Sequence, residues 1–442
     1  MDFYKNTPLN VQTKYLFKNS SWVFSAKGII SALSFIEIII ITNSWGLKIY
    51  GLYITISAIL SVIIQFCYLN FGTLLITIGA GYKSENRLDK LFALIKWTFF
   101  ANLITVGVYL VVTAVLIFFS YRLSPELGSA KSYLFLFSIV SAFTFFNLMS
   151  SSILRLFSKF RLISMLDTVS FIIEISCILI ASLLIKKSLE NLLLAFCASN
   201  IIRAAIINLA TIKKIAAVFL PYLKTKTGIL KENYMYYKKF AVINSINESL
   251  RTLFDKSDIL LLGFWAAPLQ VGIYGVAKKI ASVIYVVVSP LVVVLFPQLS
   301  ELAAVNKLKE IKEFLISITK FVFIPSTLLF IMIIIFNREI SGLFFKKEYI
   351  NITGPLLFLG CASLLKAVFF WINPILVSLQ KVNATFVIIS TSLLVMAASS
   401  LFLFAKYQIL GIAVSSFISM MLLVILSLFF IYHYISAERK LI

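Results

Sequence analysis

Apolar runs of about 20 residues, the length that crosses a bilayer's hydrocarbon core, recur twelve times along this chain. Six fall near 20–41, 51–79, 91–119, 132–152, 162–185 and 191–212. Six more fall near 240–263, 272–297, 317–336, 352–378, 384–404 and 409–432. The second run is long and is interrupted at Asn70-Phe71-Gly72, which predicts a tilted or broken helix. The pattern predicts an all-α integral membrane protein of twelve transmembrane helices. Its halves are a bundle of six over 1–212 and a second bundle of six over 240–442, joined by a polar linker over 213–239. Gly51-Leu52-Tyr53 opens the second span and Gly272-Ile273-Tyr274 the eighth, 221 residues apart, and the same offset carries Ser20 to Ala241 at two further helix starts. A duplicated six-helix unit follows, its halves in the same orientation because six is even.

Composition excludes a soluble protein. Apolar residues make up 61% of 442 and charged residues 13%, against about 45–50% and about 25% in soluble domains. Lys and Arg number 40 against 18 Asp and Glu, a formal charge of +22. With the N-terminus inside, and Lys320 at the start of the ninth span counted with the segment before it, 23 of the 40 lie in inside segments, nine outside and eight within spans. The positive-inside rule therefore puts both termini in the cytoplasm, accounts for most of the charge, and leaves nucleic acid without support as a partner. The linker holds seven Lys and one acid, Glu232, with Phe219, Tyr222, Tyr234, Tyr236 and Tyr237 interleaved. It reads as a basic amphipathic segment on anionic lipid headgroups. The N-terminus, polar to Ser21, has no secretory-signal pattern. Cys67, Cys177, Cys197 and Cys361 lie in apolar runs without CxxC spacing, so they read as core residues; no metal site or cofactor is expected.

The chemistry lies in charges at membrane depth. Asn244, Asn247, Glu248, Arg251, Asp255 and Asp258 fall within about 100° of one face of the seventh helix, opposite Ile246, Leu250, Leu253 and Leu260. Ionised groups are costly there and normally face a watered, protein-lined interior. Other spans carry Lys27, Asp167, Glu174, Arg203, Lys278, Lys279 and Lys366. Lys278 shares its face with Ser282, Tyr285 and Ser289, and Lys366 aligns with Ser363 and Asn373. Two readings stand for the stripe. Glu248, Arg251 and Asp255 can pair along their own helix at i+3 and i+4, or they can line a pathway. Lys27, Lys278 and Lys366 have no acid one turn away on their own helices, which favours a cavity. Pro290, Pro325 and Pro374 lie within spans and predict kinks.

Three stretches carry a family resemblance: Asp255-Lys-Ser-Asp-Ile-Leu-Leu-Leu-Gly263 with Val271-Gly-Ile-Tyr274, Pro297-Gln-Leu-Ser-Glu301, and Gly46 to Tyr53 followed by Leu69-Asn-Phe-Gly72. The chain resembles polysaccharide-export flippases of the multidrug/oligosaccharidyl-lipid/polysaccharide (MOP) superfamily, and within it the Wzx type associated with O-antigen or capsule repeat units. That resemblance implies two six-helix bundles around a central cavity that opens alternately to each side of a bacterial inner membrane. It implies a polyprenyl-pyrophosphate-linked oligosaccharide as cargo, with membrane lipids, a polymerase and other glycan-assembly proteins as partners. A pyrophosphate head needs fixed cations and donors in place of water; Lys27, Arg203, Arg251, Lys278, Lys279 and Lys366 are the substrate-binding set. Asp167, Glu174, Asn244, Asn247, Glu248, Asp255 and Asp258 are the polar lining, where a coupling H⁺ or Na⁺ would bind. The rival within the superfamily is a MATE-like cation-coupled drug antiporter. An enzyme is not expected: the outside loops are bare connections, and the only histidine, His433, ends the last span.

Overall fold

The computed structural model of the protein describes residues 9–119, 131–222, 234–292, 308–344, 352–379 and 381–438, with isolated positions between these stretches. Lys224, Lys226 and Lys231 of the linker and most of the Pro297–Glu301 motif lie outside the described residues. Every regular element among those described is a helix.

Helix α1 (Leu9–Cys67) bends at Gly46, whose φ of 82° and ψ of 165° suit glycine. It stops at Cys67, and α2 (Phe71–Ser84) restarts after Asn70, which adopts a left-handed φ of 39°. The side chain of Asn70 accepts a hydrogen bond from the Thr73 hydroxyl at 2.9 Å. The Tyr68 hydroxyl accepts one from the Gly72 amide at 3.0 Å. The Gly72 amide freed by the break is thus satisfied by a side chain and the Thr73 amide by the Asn70 carbonyl, as membrane depth demands. The predicted interruption is real, and it falls over 68–70, just before the glycine. Next come α3 (Leu88–Phe118), α4 (Lys131–Ser141), α5 (Phe143–Leu156), α6 (Phe160–Leu184) and α7 (Leu189–Phe219). Ser188 caps α7, its hydroxyl accepting from the Asn191 amide.

The second half begins with α8 (Tyr234–Trp265) and α9 (Pro268–Val288), the latter started by proline in its first turn. Then come α10 (Leu308–Ile335), α11 (Asn337–Phe344), α12 (Thr353–Val368), α13 (Ile372–Ser378) and α14 (Val382–Glu438), bent at Gln408 with φ 51°. Of the three prolines, only Pro325 sits inside a helix. Pro290 lies just past the end of α9, and Pro374 occupies the first turn of α13, where a missing N–H costs nothing.

Nine helices among the described residues are long and apolar enough to cross a membrane. Two of them, of 43 and 52 residues, are bent at Gly46 and Gln408 and have the length for two passes each. Helix α8 has the length for another pass, with its apolar sequence broken by the charged stripe. The described helices are consistent with twelve passes. Their outward side chains agree: Ile104, Leu183, Leu184, Phe321 and Phe402 are each at least 70% exposed, a pattern that suits acyl chains and not water. Spans also satisfy their hydroxyls internally. Thr42, Thr55, Thr113, Ser392 and Ser415 each donate to a carbonyl one turn back on the same helix.

The described residues of Met1–Leu33 and Ile59–Ser249 form one compact unit; those of Ser34–Ala58 and Leu250–Ile442 form another. The sequence division followed chain order, whereas packing assigns the middle of α1 to the second unit. In the first unit α7 packs on α4, α5 and α6, and α2 packs on α3 and α5. Its core includes Phe71, Leu74, Leu91, Leu94 and Tyr237. Tyr237, counted with the linker, is 2% exposed and shares a hydrogen bond with the Tyr82 hydroxyl. Tyr234 meets the edge of Trp97 at 5.6 Å between ring centres. Tyr237 is thus a core residue, whereas Tyr234 is 38% exposed and Met235 and Tyr236 face outward.

In the second unit α12 packs on α9, α10 and α14, and the middle of α1 is held by glycine. A side chain on Gly51 would overlap the Pro268 carbonyl, and one on Gly272 would overlap the Leu47 carbonyl. The glycines of the two repeated Gly-x-Tyr motifs therefore meet backbone to backbone. Gly275 gives room to Tyr50 and Ile54, and Gly263 to Thr55. Between apolar helices in lipid, close approach of this kind supplies the van der Waals contact that holds them together.

Candidate functional site

Three predicted cations from three helices converge in the second unit. Helix α8 contributes Arg251, Asp255 and Asp258 along one face; α9 contributes Lys278 and Tyr285; α12 contributes Lys366, with Asn373 following on α13. The Lys278 ammonium lies 2.6 Å from Oδ1 of Asp258 and donates to the Asp255 carbonyl at 2.7 Å. The Lys366 ammonium lies 2.7 Å from Oδ1 of Asp255 and 5.0 Å above the centre of the Tyr285 ring. The Arg251 guanidinium donates to the side-chain oxygen of Asn373. Asp258 also accepts from the Tyr274 hydroxyl at 2.8 Å and from the Ile259 amide at 2.7 Å, and Tyr274 in turn contacts Ser416 at 3.2 Å.

These groups line two adjoining cavities of about 270 and 150 Å³, which share Phe254, Asp255, Tyr285, Lys366 and Met420. Arg251 and Asn373 line the larger, Asp258 and Lys278 the smaller. Apolar walls with a few fixed charges are the usual make-up of a small-molecule site. Low polarizability around the charges strengthens each interaction and makes an uncompensated one costly. The acids and cations therefore compensate one another within the two cavities.

Lys278 and Lys366, without an acid one turn away on their own helices, find theirs on α8. Asp255 is partnered across helices, not only along its own. Asn244 and Asn247 bond to the carbonyls of Phe240 and Ile243 on their own helix. Packing places them and Glu248 with the first unit, and Arg251, Asp255 and Asp258 with the second, where these three line the cavities. Lys279 has Glu37 within electrostatic reach in the same unit, away from the two cavities. In the first unit Arg203 pairs with Asp167 at 3.6 Å, with Glu174 also in its field. Lys27 is exposed, in the field of the like charge of Arg155.

Several polar groups escaped the sequence reading. Tyr274 and Ser416 complete the shell of Asp258. Ser150 donates to Asn208 at 2.7 Å, and Asn208 to Asn147 at 3.0 Å, between α5 and α7. Asn147 and Asn208 were legible as amides inside apolar runs; Tyr274 was visible only as part of a repeated motif and Ser416 not at all, since both residue types are common in spans. Among the described residues no three His, Cys, Asp or Glu side chains are grouped to hold a metal ion.

Comparison with known proteins follows the same lines. Residues 16–303, well over half of the chain, match the family described as polysaccharide biosynthesis protein. No curated protein sequence matches. Among solved structures, an inward-facing multidrug-resistance MATE family transporter of the MOP superfamily superposes with a TM-score of 0.69 at 11% identity, over 94% of this chain and 96% of that one. The lipid II flippase MurJ, in an inward closed conformation, superposes with 0.68 at 17% identity, over 92% and 87%. A MOP superfamily transporter from Pyrococcus furiosus, described as having a binding pocket of reversed polarity, gives 0.68 at 12% identity, over 96% of each chain. The chain therefore has the MOP transporter fold and is a multi-pass membrane protein.

Proposed function

Because the chain belongs to the polysaccharide biosynthesis protein family, we propose that it is a flippase. It moves polyprenyl-pyrophosphate-linked oligosaccharide repeat units from the cytoplasmic to the outer leaflet of a bacterial inner membrane, by alternating access. Both termini are cytoplasmic in this reading, and inward H⁺ or Na⁺ flow supplies the driving force through acids such as Asp255. A polymerase and other glycan-assembly proteins receive the product.

One observation carries the reading: Arg251, Lys278 and Lys366 reach a shared pair of cavities at the depth of apolar spans. Cations so placed stabilise a diphosphate headgroup that has left water. Asp255 and Asp258 in the same cluster favour a second reading, a cation-coupled drug antiporter, since carboxylates attract organic cations. Vesicles containing purified protein separate the two. Outward movement of a fluorescent polyprenyl-pyrophosphoryl oligosaccharide supports the flippase. Accumulation of a cationic dye with no lipid movement supports the antiporter and overturns it.

A further inference from the structure

The two ion pairs of the cluster are not equivalent. Asp258 is a saturated acceptor: Lys278, Tyr274 and its neighbour's amide all donate to it, and its side chain is 6% exposed. Lys278 adds a second bond to a backbone carbonyl. This pair fastens α8 to α9 while its ammonium still lines the smaller cavity. Asp255 and Lys366 meet through a single bond, and their side chains remain 44% and 37% exposed. Both line both cavities, so whatever enters either one meets them. The other ligand of Lys366, the face of Tyr285, does not depend on Asp255.

We propose that Asp255 is a built-in occupant of the anion site, a carboxylate that holds Lys366 until the cargo's diphosphate displaces it. The idea rests on the flippase reading for the identity of the cargo and adds how that site is kept closed without it. Before binding, the carboxylate neutralises Lys366, which no longer has to stand unpaired in an apolar cavity. On binding, a phosphate oxygen takes its place and Asp255 is set free to receive a proton or a sodium ion from water. No covalent bond changes; one anion replaces another on a fixed ammonium. The exchange makes the site selective, because a neutral glycolipid has nothing with which to displace Asp255.

Purified full-length protein in detergent micelles tests this, with pyrophosphate and polyprenyl pyrophosphate as probes. Asp255→Asn removes the competitor and keeps the shape, so both probes bind about tenfold more tightly than to wild type. Asp255→Glu, which keeps the charge, stays near wild type. Lys366→Gln loses binding, and adding Asp255→Asn to it restores nothing. Thermal unfolding of each variant confirms that it is folded. Unchanged or weaker binding by folded Asp255→Asn overturns the exchange, as does full affinity in Lys366→Gln. Tightening toward free pyrophosphate but not the lipid overturns the assignment to the cargo. Vesicle transport by the same preparations keeps the two ideas apart. Lipid movement with no effect of Asp255→Asn on binding sinks only the exchange. Tightened binding without lipid movement sinks only the flippase.

Discussion

Lys278 and Lys366 are both lysines paired with aspartates from α8, yet their removal leaves different remainders. Lys278→Ala strands Asp258, buried and without its cation, and lowers stability by about 3 kcal/mol. Thermal unfolding in detergent reads that loss, and Lys278→Ala with Asp258→Asn recovers most of it. Full stability of the single variant contradicts the role of a fastening. Arg251→Ala removes the guanidinium that donates to the side-chain oxygen of Asn373. Its membrane level stays near wild type while surface glycan in producing cells falls at least tenfold; normal glycan would remove Arg251 from the site. The positions of Arg251, Asp255 and Asp258 were legible because helical periodicity reports which residues share a face. Their partners were not, since spacing along one helix carries no information about which neighbour it will face. The same blindness left Lys278 and Lys366 looking unaccompanied.

Among the helices, the boundary signals are local. The break before α2 was read at Asn70, which adopts a left-handed conformation, whereas the proline that opens α9 and the serine that caps α7 went unread. Asn70→Gly is therefore tolerated, whereas Asn70→Val costs about 1–2 kcal/mol in thermal stability through its β-branched side chain at positive φ. The meeting of α1 with α9 was legible only as a faint repeat. Gly51 and Gly272 matched by offset, and contact between them came from packing. Gly272→Val meets the Leu47 carbonyl, part of the backbone and unable to turn aside. It destabilises by about 1–3 kcal/mol, measurable as a lower unfolding temperature, while Gly107→Val, with open space around its Cβ position, does not. Equal behaviour of the two variants would contradict a tight seam.

For the whole molecule, hydropathy specified an all-helical membrane protein and its approximate pass count, because bilayer thickness fixes the length of every span. It could not divide the chain by packing. The apolar runs of α1 do not differ in kind, so nothing in the sequence shows Ser34–Ala58 joining the later half. Nor does charge composition name the cargo, since the cluster holds cations and carboxylates together. Transport by the purified protein in sealed vesicles decides that point. Fluorescent polyprenyl-pyrophosphoryl oligosaccharide, loaded on the face exposed to the cytoplasmic side, crosses with wild type and stops with Lys366→Gln. Equal crossing rates in empty, wild-type and Lys366→Gln vesicles would contradict a flippase built on these cations.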